Sequence, residues 1–135
     1  MNTTYYLNLI MGNLFHTQET PEIPAAYYLG LSASEPTIAG ENRGEPAING
    51  TGYSRVLLSS LSAPNNGVIN NTTAIHFDES ITDWGVMTHY TVYDAETDGN
   101  LLFYGPLTLS RRVEPNTAIT IRAGELSIQL CSPDQ

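Results

Sequence analysis

Two hydrophobic rhythms divide the chain. Between Tyr5 and His16 the positions Asn8, Gly12 and His16 recur at four-residue intervals, a narrow polar stripe on an otherwise greasy cylinder. That spacing predicts a helix of about three turns. Asn2, Thr3 or Thr4 can cap its start, and Pro21 and Pro24 close the segment that follows. So apolar a helix has to be covered on more than one side, by its own domain or by a neighbour.

After Pro24 the period shortens to two, in short runs punctuated by turn residues. Strands are predicted at 26–32, 53–61, 74–80, 86–94, 101–105, 116–122 and 125–130. Asp98-Gly99 marks a hairpin, and 35–52, rich in glycine with prolines at 36 and 46, reads as a long polar loop. Pro106 cannot donate to a ladder, which places 106–113 at an edge or at the start of a new strand. About seven short strands at roughly ten-residue spacing predict an all-β fold, an antiparallel β-sandwich of jelly-roll-like or Ig-like type, with a short N-terminal helix. The expected organisation is a docking helix and linker over 1–24 and a β-sandwich domain over 25–135. Alternation assigns Leu29, Leu31, Val56, Leu58, Ile75, Phe77, Val92, Leu102, Ile119, Ile121, Leu126 and Ile128 to its core.

The strand at 86–94 holds the most suggestive residue, His89. Strict alternation sets Trp84, Val86, Thr88, Tyr90 and Val92 on one face and Met87, His89, Thr91 and Tyr93 on the other. Both faces are half apolar, which predicts a central strand with His89 in packing or a subunit contact.

Charge narrows the possible partners. Fourteen acidic residues face five arginines and no lysine, for a net charge of −9. Phosphate backbones would be repelled, and Arg111-Arg112 is the sole adjacent basic pair, so no nucleic-acid partner is expected. The first basic residue is Arg43, so the apolar run near the start lacks the positive flank of a secretory signal; it is also too short to span a bilayer, and no membrane partner is expected. The single Cys131 cannot form an internal bridge.

Catalytic constellations are equally sparse. His16, His76, His89, Asp78 and Asp83 are the candidate metal ligands, none in a ligand spacing, although His76 and Asp78 alternate along one strand face. The Gly52-Tyr53-Ser54-Arg55 stretch lacks the second glycine and following helix of a nucleophile elbow, and the carboxylates cluster at turns. The chain reads as no enzyme, with no catalytic residues, no metal and no cofactor.

Four stretches, "YYLGLSASEP", "GYSRV", "AIHFDESITDWGVMTHYTVYDAETDGNLLFYGPL" and "AGELSIQL", together resemble a family of small bacteriophage structural proteins of the tail-fibre and tail type, over residues 25 to 130. The block from Trp84-Gly85 to Gly105 is the most specific part, and the N-terminal helix lies outside the resemblance. It implies a virion component, a tail-fibre-type or capsid-decoration protein made in the host bacterial cytoplasm, acting through contacts with phage capsid or tail proteins and as a homo-oligomer. Tyr6, Leu9, Ile10, Leu14, Phe15, Trp84 and His89 are the expected partner-binding residues. The alternative is a glycan- or host-receptor-binding sandwich module, suggested by eight tyrosines among Asn- and Thr-rich loops, which would show Tyr27, Tyr28, Tyr53 or Tyr104 clustered in an exposed groove.

Overall fold

The structure, a computed structural model, describes residues 1–16 and 21–130. Cys131 lies outside the described residues. Among them the chain forms one helix, α1 (Thr4–Phe15), and eight strands: β1 (Tyr28–Ser32), β2 (Val56–Leu57), β3 (Val68–Asn70), β4 (Ile75–His76), β5 (Gly85–Tyr93), β6 (Leu101–Val113), β7 (Thr120–Ile121) and β8 (Ser127–Gln129). The class is therefore mostly β with one N-terminal helix. The strands group into a four-stranded sheet, β2-β1-β5-β6, and two two-stranded sheets, β3-β8 and β4-β7, all antiparallel.

Several expected strands are shorter than their hydrophobic runs. Of 53–61 only β2 is regular, and of 74–80 only β4, although Phe77 N still donates to Ile119 O at 3.0 Å and Ser80 N to Thr117 O at 2.9 Å. By contrast 101–105 and 106–113 are one strand. Pro106 sits within it opposite His89, and the register slips between Met87 and His89, where Pro106 and Arg111 are the partners. Four β6 residues, 107–110, bulge out there.

That slip corrects the alternation drawn for β5. Met87 is fully buried and joins Tyr90 and Val92 in the core, while Val86 is 40% exposed. A bulge shifts the phase of every side chain on one side of it, so strict period two fails across it.

The main core packs α1 and all three sheets together: Tyr6 and Leu9 lie with Leu29, Leu31, Val92, Leu102, Ile119 and Leu126. Among the positions chosen by alternation, Val56, Leu58, Ile75 and Ile128 are half-buried against this core and the rest are buried. Each such side chain contributes about 1.5 to 3 kcal/mol. On the opposite face of the large sheet, Tyr93, Leu101 and Tyr104 form a smaller cluster. The loop 33–52 reaches over it, held by Ala33 N donating to Gly44 O and Gly44 N donating to Ser32 Oγ.

Candidate docking surface

α1 is rooted by backbone as well as by packing. Thr3 N donates to Leu102 O and Tyr104 N to Met1 O, both at 2.9 Å, so residues 1–3 extend the large sheet beside β6. Thr3 then caps the helix: its Oγ1 accepts from Tyr6 N at 3.3 Å and donates to Leu101 O at 2.7 Å.

Register from that cap decides which faces turn inward. Tyr6 and Leu9 are buried, and the Tyr6 ring meets Phe103 and Tyr27 edge-on at centroid distances of 5.0 and 6.1 Å. The Tyr6 and Tyr27 hydroxyls lie 2.6 Å apart. Burial, then the Tyr27 hydrogen bond, pushes the Tyr6 phenol well above the usual tyrosine range. The outward side carries Tyr5, Met11, Leu14 and Phe15, with Leu14 63% and Phe15 78% exposed. Asn8 and His16 of the expected polar stripe are also exposed, and Gly12 is half-buried.

Beside the helix runs an apolar groove of about 420 Å³, walled by Tyr6 and Ile10 on one side and by Tyr27, Leu58, Phe103 and Ile128 on the other. Among the described residues, none that lines it is charged. Pockets of this character bind apolar groups and offer little purchase for chemistry.

The remaining expected contact residues lie on β5 and just before it. Trp84 is buried, its Nε1 donating to Thr51 O at 2.9 Å and its ring edge-on to Tyr53 at 5.3 Å. His89 is half-buried on β5, its Nδ1 2.8 Å from Thr88 Oγ1. The structure thus brings Tyr6 and Ile10 to the groove, buries Leu9 in the core, leaves Leu14 and Phe15 at the helix end beyond the groove, and places Trp84 and His89 elsewhere.

A buried polar network, which sequence reasoning missed, ties the loops to the sheet. The Arg55 guanidinium is bidentate to Glu45, with both bonds 2.8 Å long. Its Nη1 donates to Ala95 O and Asp98 O in the β5–β6 hairpin, and its plane lies 3.5 Å over the Tyr93 ring. The Tyr53 hydroxyl donates to Glu45 Oε2 at 2.5 Å and accepts from Leu31 N at 3.1 Å. Burial, then the Glu45 charge, holds the Tyr53 phenol well above its ordinary range. Gly30 makes the room, since a Cβ there would lie 2.6 Å from the Tyr53 hydroxyl and 2.7 Å from Thr91 Oγ1. A lone arginine inside the apolar run "YSRVLL" was the available signal.

The candidate chemistry of the histidines and carboxylates does not assemble. His76 and Asp78 are exposed, and Asp83 pairs with Arg112 at 3.0 Å. Among the described residues no three metal-capable side chains converge. Arg111 pairs with Glu125 and Arg112 with Asp83 and Glu114, so the sole adjacent basic pair is spent on ion pairs within the chain.

A β-rich body whose buried polar groups fasten loops, and whose outward features are apolar helix and groove, defines a structural protein. The family model of the podophage GP4 fiber I protein gp80 matches residues 2–129, and the chain belongs to that family. It is accordingly a structural component of the phage tail fibre, part of the virion and not an enzyme. The match begins at residue 2 and so takes in α1, which the resemblance by motifs had left outside. No curated protein matches the chain.

Proposed function

We propose that the protein is held in the assembled fibre by α1, whose outer face and flanking groove dock on a neighbouring tail or fibre subunit. One observation carries this reading: Leu14 and Phe15 stand largely in water at the end of a helix whose other side is anchored in the core. Leaving two large apolar side chains exposed forfeits about 1.5 to 3 kcal/mol each, a cost that a covering partner removes. In this reading residues 1–24 are the docking element and the chain from residue 25 onward is the body. The core shared by the large sheet and the two small ones supports reading that body as a β-sandwich.

The partners are proteins, other fibre or tail subunits and further copies of the chain, without nucleic acid or membrane. The receptor-binding alternative asked for tyrosines clustered in an exposed groove. Of those four only Tyr27 lines the groove, its hydroxyl bonded to that of Tyr6, while Tyr53 and Tyr104 are buried; the absence of a cluster favours the scaffold. The test is complementation of a phage lacking this protein with a chain carrying Leu14→Ser and Phe15→Ser. The folded variant is expected to be missing from purified particles; incorporation at the wild-type copy number would sink the reading.

A further inference from the structure

We infer that the surface covering α1 and its groove is a second copy of this same chain, with Leu14 and Phe15 of each copy seated in the groove of the other. The inference rests on the docking role of α1 proposed above and names its occupant.

Three observations converge on a second copy. The first is fit. A phenyl ring is accommodated by an apolar cavity of roughly 150 Å³, so a groove of about 420 Å³ has room for both a Phe and a Leu side chain. The chain carries this knob and this hole itself. The second is placement. Leu14 follows Ile10, a groove wall, by one helical turn, so the Leu14 side of the knob adjoins the groove, with Phe15 about 100° further round the helix. A self-complementary contact about a two-fold axis needs that continuity, because each residue of the patch must find its partner within the same patch.

The third is charge. With a net charge of −9, two copies repel one another over most of their surface. They can close only where no carboxylate would be buried unpaired. Residues 1–16 contain no Asp, Glu, Arg or Lys, and the described residues that wall the groove include none. A cationic partner would be drawn to the acidic surface instead.

The test measures self-association of the full chain by sedimentation velocity over a dilution series. The wild type is expected to pass from monomer to dimer. Leu14→Ser with Phe15→Ser removes the knob and is expected to weaken the dimer at least about a hundred-fold. Leu61→Asp, at a partly exposed position on the groove wall, keeps the knob and blocks the hole. Each variant alone is expected to be monomeric, while their mixture forms a mixed dimer, because one intact knob then meets one intact hole. Unchanged Trp84 fluorescence and unfolding transitions show that the variants are folded. A wild type that stays monomeric at every concentration, or a dimer indifferent to both variants, overturns the inference. If the wild type is monomeric and the knob variant still fails to enter particles, α1 docks on a different subunit, and only the second copy is refuted.

Discussion

Replacing Arg55 tests the buried network most sharply. Its side chain is 3% exposed and that of Glu45 16%. Arg55→Ala removes a bidentate ion pair, the donor to Ala95 O and Asp98 O, and the layer over the Tyr93 ring. Breaking a buried pair from one side costs about 3 to 5 kcal/mol, because the other charge is left behind. The low end applies, since Glu45 keeps the Tyr53 hydroxyl and some access to water. About 3 kcal/mol in a domain of this size lowers Tm by roughly 10 °C. Arg55→Lys keeps the charge but loses the fork and the stacking, and is expected to recover about half of the loss. Urea unfolding followed through Trp84, the single tryptophan and a buried one, reads both values. A loss below about 1 kcal/mol for Arg55→Ala, the range of exposed ion pairs, would refute the claim that this network fastens the loops.

Three further outcomes follow from the same packing. Gly30→Ala drives a Cβ into the Tyr53 hydroxyl and Thr91, and is expected to cost about 1 to 3 kcal/mol in the urea assay. Tyr53 gives an alkaline dependence. Its phenol keeps its proton in the folded chain above about pH 10, where the unfolded chain releases it, so its contribution is complete below pH 10 and falls by about 1.4 kcal/mol per pH unit above it; Tyr53→Phe should flatten that slope in pH-dependent unfolding. His89→Gln, at a half-buried position, is expected to shift stability by about 1 kcal/mol, measured by thermal unfolding, without affecting any activity.

How much could be read in advance depended on the range of each interaction. The helix was legible because its signal is local: expected over Tyr5–His16, it runs from Thr4 to Phe15 under the Thr3 cap. Alternation found the core for the same reason, as Leu29 and Leu31 or Ile119 and Ile121 each sit two apart on one face. It failed at Met87 because a bulge is set by the partner strand, whose 107–110 excess has no local signature. β3 was missed because three half-buried residues after a turn offer no period to count. The network at Arg55 stayed hidden because its partners, Glu45, Ala95 and Asp98, are distant in sequence and meet only once the loop and the hairpin have folded over the sheet. For the docking surface, the greasy helix was visible as a whole. Which of its residues face outward was decided by the backbone pairing of residues 1–3 with β6, and that turned Tyr6 and Leu9 inward and left Leu14 and Phe15 outside.

The central claim, that α1 is the joint between this protein and its neighbours in the fibre, is met most directly by a cryo-electron-microscopy map of the intact particle at side-chain resolution. The account expects density from an adjacent subunit against Leu14, Phe15 and the groove beside Ile10, with the acidic loops turned to solvent. A map in which the outer face of α1 is bare, while the chain is held in the fibre through another surface, would contradict it.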